Sequence, residues 1–222
     1  MNALREQLLS INNCLPLHTA LVAVSKTQPV GIIRKAYEAG QRAFGESRPQ
    51  ALRDKASKLP EDIEWHFIGH LQSNKIKLVV GLAHTIHSAD SEKLLIDLNK
   101  EAARRQCTQR CLLQVRIAQE ETKYGFAPDE LRALAASGFL AQLPHLQIAG
   151  LMGMATNTSD TAQIRREFRT MKSLYTELQQ TCFPADPAFC ELSMGMSNDY
   201  AIAVEEGSTI VRVGSAIFSV KN

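Results

Sequence analysis

Leu21-Val22-Ala23-Val24-Ser25-Lys26-Thr27 is a short, β-branched apolar run that ends on a lysine. Apolar runs of four to eight residues bounded by polar or turn-forming residues read as buried strands. The same unit recurs at 42–45, 64–68, 84–87, 111–117, 146–151, 191–193 and 209–213. Between these runs lie longer amphipathic stretches whose helical entries fall near Val30, Pro49, Asn74, Ser91, Pro128, Thr161 and Asp199, several of them Ser, Asn, Asp or Pro. A helix after each strand forces the next strand to run parallel to the last, because the crossover needs a dozen or more residues. Eight strands with seven helical entries predict an α/β fold, a (β/α)8 TIM barrel, preceded by an extra N-terminal helix over 1–14. An open, doubly wound sheet is the alternative; it lacks pairing between the first and last strands.

At 222 residues the chain has the length of one such domain, and we read 1–222 as a single unit. Its 45% hydrophobic and 22% charged residues are those of an ordinary globular protein. A net charge of +2, with basic residues scattered among acidic ones, argues against nucleic acid as partner. No segment reaches the apolar length of a membrane span, and the N-terminus lacks a signal-peptide pattern. Five cysteines without a CxxC pair fit reduced thiols and a cytoplasmic location. His66 and His70, and His84 and His87, invite a metal reading. Four residues along a strand separate side chains by roughly 13 Å, however, so these spacings argue for no metal.

In a parallel barrel, chemistry gathers just past the C-terminal ends of the strands. Lys26 falls there after the first strand, Glu46 and Ser47 after the second, and Asn74 among the residues after the third. Glu120 and Lys123 follow the fifth, Met152 the sixth, Gly195 and Ser197 the seventh, and Gly214 and Ser215 the eighth. An amine at an apolar mouth is expected to lose hydration, which lowers its pKa and suits it to attack an aldehyde; a solvated strand-capping lysine is the alternative. Ser193-Met-Gly-Met-Ser197-Asn-Asp199 combines a glycine, hydroxyls and a helix start, and reads as an anion site, as an N-cap, or as both. Arg212 lies inside the last apolar strand and so needs an acceptor: a ring nitrogen, a carboxylate or a carbonyl. Phosphate between the seventh and eighth strands, with Arg212 on the eighth and Lys26 on the first, makes a consistent pocket for a phosphorylated aldehyde.

Ala23-Val-Ser-Lys-Thr-Gln-Pro29, Phe44-Gly-Glu46, Trp65-His-Phe-Ile-Gly69, Leu71-Gln-Ser-Asn-Lys75, His84-Thr-Ile86, Gly150-Leu-Met152, Leu192-Ser-Met-Gly-Met-Ser197 and Gly207-Ser-Thr-Ile-Val-Arg212-Val-Gly214 together resemble the pyridoxal-5'-phosphate homeostasis protein family. The resemblance runs from about residue 21 to 218 and implies a fold-type III barrel similar to the N-terminal domain of alanine racemase. It implies pyridoxal phosphate as cofactor, with Lys26 forming the aldimine. Ser193, Gly195, Ser197, Gly214 and Ser215 would lie around the phosphate, Arg212 would face the pyridine nitrogen, and Asn74 and Met152 would line or brace the pocket. It further implies a role in vitamin B6 homeostasis, holding or delivering the cofactor without catalysis, with pyridoxal-phosphate-dependent apoenzymes as partners. An amino-acid racemase is the competing reading. Against it, racemisation needs a base on each face of the substrate, and a chain ending at Asn222 is expected to lack the second domain that supplies one. The same ending, with no long apolar surface stripe, favours a monomer. Ser47, His70, Arg116 and Ser219 depart from the family pattern, and Arg116 is expected to add positive charge near Lys26.

Overall fold

The structure is a computed structural model and describes residues 2–118 and 124–219. Eight parallel strands, β1 (Ala20–Val24), β2 (Ala43–Glu46), β3 (Glu64–Phe67), β4 (Thr85–Ala89), β5 (Gln109–Val115), β6 (Leu146–Gly153), β7 (Glu191–Ser193) and β8 (Ile210–Val213), follow one another around a closed barrel. Closure runs through β1 and β8, with Ala20 opposite Ile210 and Ala23 opposite Val213. That pairing excludes the open sheet and gives the (β/α)8 fold read from the sequence.

Helices α1 (Asn2–Cys14), α2 (Val30–Glu38), α3 (Pro49–Ala56), α4 (Glu92–Arg104), α5 (Pro128–Ala136), α6 (Thr161–Thr181), α7 (Tyr200–Glu205) and α8 (Ser215–Phe218) surround the strands. Their starts follow capping chemistry. The Ser91 hydroxyl accepts from Leu94 N at 3.3 Å at the head of α4, and Asp160 accepts from Ala162 N and Gln163 N at the head of α6. Each satisfies a backbone donor that the first helical turn leaves open. α6 then buries Ile164, Phe168, Met171, Leu174, Tyr175 and Leu178, a helical stripe laid against the barrel. Truncating the fully buried Phe168 to Ala would cost about 3–5 kcal/mol.

One connection departs from the sequence expectation. The helix anticipated near Asn74 is a six-residue 3-10 turn, Ser73–Leu78, after which Val79, Val80 and a left-handed Gly81 (φ 73°) carry the chain to β4. β-branched residues and a glycine in quick succession disfavour extending the turn into an α-helix.

β6 carries one extra residue relative to β5, because Cys111 pairs with Ile148 and Leu112 already pairs with Gly150. The bulge turns Ala149 and Met152, three apart, into one small apolar cluster with Leu112 and Met154. Beside this cluster the buried interior is polar: His66, His87, Ser193 and Arg212 form a continuous hydrogen-bonded column. It links β3, β4, β7 and β8.

Candidate functional site

A cavity of about 440 Å³ opens at the C-terminal ends of the strands. Its wall includes Lys26 past β1, Ser47 past β2, Ser197 past β7, Arg212 on β8, and Gly214 and Ser215 at the start of α8. The β1–β8 closure sets the central geometry. A Cβ built on Gly214 would stand 3.2 Å from Val24 Cβ and 3.3 Å from the Val24 carbonyl oxygen, so the strand ends that lead into Lys26 and Ser215 lie against each other. Lys26 itself is exposed rather than withdrawn from water, unlike the dehydrated amine expected from the sequence. β1 ends two residues earlier, so the lysine stands on the rim and its side chain reaches the cavity from there.

The residue before Lys26 is anchored firmly. Ser25 Oγ donates to Glu46 Oε1 at 2.7 Å, and Lys55 Nζ from α3 reaches the same carboxylate oxygen at 2.6 Å and the Ser25 carbonyl at 2.8 Å. Glu46 is fully buried. It therefore belongs to the support of the β1 end, and Lys55 compensates its charge in place.

Arg212 is 4% exposed, yet its guanidinium reaches the cavity wall. Nη1 donates to Ser193 Oγ at 2.5 Å and Nη2 to the Gly153 carbonyl at 3.0 Å. Burial lowers its pKa from the usual arginine value to about 10, with the Asp199 carboxylate acting in the opposite sense. It thus keeps its charge at neutral pH. Beneath it, burial pushes His87 well below the ordinary histidine range and His66 down to about 3. Both imidazoles are neutral, and the column holds Arg212 through uncharged groups.

Ser197 Oγ accepts from Gly214 N at 3.1 Å, which ties the segment after β7 to the segment after β8. Among the described residues its own hydrogen has no acceptor, and it is available to a ligand. Gly195 makes this turn feasible. Its φ is 95°, and an added Cβ would lie 2.5 Å from Ala203 Cβ and 3.0 Å from Tyr200 Cα, a clash with α7. The Gly195 carbonyl accepts from Arg212 N at 2.9 Å, so the turn that presents Ser197 is also registered against β8. Asp199 lies on the wall and accepts from Met196 N at 2.5 Å, capping its own turn.

The structure thus gathers Lys26, Ser197, Arg212, Gly214 and Ser215 on one cavity wall. Ser193 and Met152 lie beneath it, buried, the first under Arg212 and the second in the β6 bulge cluster. Asn74 is elsewhere, exposed on the outer 3-10 turn beside Lys77 and Glu101. Arg116 is exposed and its backbone N pairs with the Phe126 carbonyl at 2.9 Å; it does not line the cavity. Glu120 and Lys123 lie outside the described residues. The sequence reading missed Met154, Thr156, Asn157 and Thr158 after β6, which also line the cavity. The polar run Thr156-Asn-Thr-Ser159 beyond a strand was the signal that could have found them.

The family model described as alanine racemase, N-terminal domain, matches residues 1–222. A curated relative from Pasteurella multocida, named pyridoxal phosphate homeostasis protein, is 40% identical over 91% of this chain and 86% of its own length. This chain belongs to the pyridoxal phosphate homeostasis protein family. Two structures of the family member PipY from Synechococcus elongatus superpose over 97% of this chain and 99% of theirs. The one without pyridoxal phosphate gives a TM-score of 0.90 at 39% identity, and the one with it bound gives 0.87 at 38%. Alanine racemase from Streptomyces lavendulae, at 18% identity and a TM-score of 0.78 over 99% of this chain and 57% of its own, shares the barrel fold. The homeostasis protein family and the racemases therefore share a fold-type III barrel.

Proposed function

We propose that this protein binds pyridoxal phosphate at the open end of its barrel through Lys26, and takes part in vitamin B6 homeostasis by holding the cofactor and passing it on. The observation that carries this reading is one wall joining a primary amine, a charged guanidinium and a phosphate-sized set of donors. The residues fit the group. About 440 Å³ is within the usual range of small-molecule sites, and the donor set matches an aldehyde, a pyridine nitrogen and a phosphate. Pyridoxal phosphate supplies an aldehyde that condenses reversibly with a primary amine.

Lys26 offers that amine from the rim, with its backbone held by Ser25, Glu46 and Lys55. Ser197 and Ser215 would hold the phosphate through their hydroxyls, and the tight Gly214–Val24 approach keeps these serines on the same wall as the lysine. Arg212, with Nη1 and Nη2 already donating to Ser193 and Gly153, would face the pyridine nitrogen with its remaining N–H groups. A guanidinium there keeps its proton and leaves the ring nitrogen without one, which weakens the ring as an electron sink.

The racemase reading has less support. Proton exchange on two faces of a substrate needs two acid/base groups. Among the described residues, the ionisable side chains on the wall are Lys26, Asp199 and Arg212, and Asp199 is engaged with Met196 N. The relatives named as homeostasis proteins also match at far higher identity than the racemases do. Delivery to pyridoxal-phosphate-dependent apoenzymes, a monomeric state and a cytoplasmic location complete the proposal. The exposed position of Lys26 supports exchange with free amines, and the described cysteines are all unpaired. No helix among the described residues is long and apolar enough to cross a membrane.

The test is transfer. Loaded protein is mixed with a pyridoxal-phosphate-dependent apoenzyme, with and without a trap for free cofactor. Reactivation of the acceptor is expected, and reactivation that persists with the trap present marks direct hand-over. Steady racemisation of amino acids by the pure protein, abolished by Lys26→Ala, would overturn the non-enzymatic reading.

A further inference from the structure

We propose that this protein carries a second site, for a divalent transition metal such as zinc, at the N-terminal end of the barrel, formed by Glu64, His66 and His84. One ligand atom from each residue lies within 4.8 Å of the others. The sequence spacing hides this group because Glu64 and His66 lie on β3 whereas His84 comes from the segment just before β4. Glu64 and His66 lie two apart on β3 and share a face. His84 N donates to the Trp65 carbonyl at 2.8 Å, which sets His84 across from the residue between them. The two imidazole rings stand 5.6 Å apart, centre to centre.

Two further observations give the group the character of a ligand set. His66 is 5% exposed, and its Nδ1 is 2.8 Å from His87 Nε2, so Nε2 is the nitrogen left for a metal. A metal-binding histidine ordinarily donates its other ring N–H to an acceptor that fixes the ring, and His87 Nε2 stands where such an acceptor is needed. His84 Nδ1 likewise lies 3.0 Å from Thr85 Oγ1, which again leaves Nε2. Two imidazoles and a carboxylate with an open fourth position is a known ligand set for zinc. Bonds of ordinary length would bring ligand atoms to about 3.4 Å from one another. Glu64 and His84 are exposed and can swing that far, while His66 stays fixed. The nearby charge of Arg110 is balanced by Glu191, 2.9 Å away.

Occupancy would also impose a direction on the interior column. A metal on His66 Nε2 makes Nδ1 the donor to His87 Nε2, so that His87 Nδ1 donates to Ser193 Oγ, the oxygen that also accepts from Arg212. The two ends of the barrel are then joined through hydrogen bonds.

The test uses tag-free, chelator-stripped protein titrated with Zn2+ in competition with a chromophoric chelator, and with Co2+ followed by absorbance. One equivalent is expected, with Glu64→Gln and His84→Ala each weakening Zn2+ at least about 10–100-fold. Both altered residues are exposed, so the metal-free variants should unfold at the same denaturant concentration as the metal-free parent. No uptake, uptake unchanged in both variants, or a Co2+ spectrum carrying a thiolate charge-transfer band would overturn the assignment. None of these readouts depends on pyridoxal phosphate, so the result is independent of the function proposed above.

Discussion

Arg212 Nη1 donates to the Ser193 hydroxyl at 2.5 Å, and the same oxygen lies 3.1 Å from His87 Nδ1. One serine thus holds both the guanidinium at the cavity wall and the neutral imidazole below it. Ser193→Ala would leave two buried polar groups short of a partner. We expect a loss of about 1–3 kcal/mol in urea unfolding, together with weaker cofactor binding because Arg212 is no longer fixed. An unchanged urea midpoint would show that the column contributes nothing to holding Arg212.

The proposed phosphate contacts are Ser197, Gly214 and Ser215, which line one cavity wall. Ser197→Ala removes a hydroxyl donor from the ligand and an acceptor from Gly214 N. Affinity for pyridoxal phosphate should fall by about 1–3 kcal/mol, the size of a charge-assisted hydrogen bond. Pyridoxal without its phosphate should bind weakly to the parent and be indifferent to the substitution. Equal titration curves for the phosphorylated and unphosphorylated aldehydes would place the phosphate elsewhere.

Glu46 supports the strand end that carries Lys26. Glu46→Gln removes the charge that compensates the part-buried Lys55, 2.6 Å away, and should cost about 3–5 kcal/mol, as broken buried ion pairs do. A double substitution with Lys55→Met should recover part of that loss in the same unfolding experiment. Full additivity of the two changes would mean that the pair is not coupled.

Cys111 is fully buried, and desolvation pushes its thiol up to about 12. The folded state keeps this proton where the unfolded chain loses it, so the contribution to stability is complete below an unfolded value near 9 and is lost as pH rises towards 12. In native protein at pH 8, thiol reagents should spare Cys111 while modifying the exposed Cys14 and Cys190. Peptide mapping after alkylation, with and without denaturant, checks this.

The parallel strand order was legible because each apolar run is short and each intervening stretch is long enough for a crossover. Closure of β1 on β8, which separates the barrel from an open sheet, is a matter of register between distant segments. Strand starts moved by a residue or two, as with β5, which begins at Gln109. The residues of the β1, β7 and β8 ends were legible as candidates because lysine, serine and glycine just past strand ends fall on the face where a parallel barrel gathers its chemistry. Asn74 was misplaced because a sequence does not distinguish a residue past a strand end from one already carried outward by a 3-10 turn. The wall after β6 was missed because the bulge at Gly150 lets that strand run to Gly153. The interior column and the Glu64–His66–His84 group were hidden for a further reason. Cross-strand neighbours depend on register, which periodicity along a single strand does not encode.

Lys26 is the residue whose modification tests cofactor binding most directly. Purified protein saturated with pyridoxal phosphate, reduced with borohydride and digested, should yield one phosphopyridoxyl-modified peptide, the one containing Lys26, and Lys26→Ala should yield none. A reduced adduct on Lys55 or another lysine, or no adduct at saturating cofactor, would contradict it.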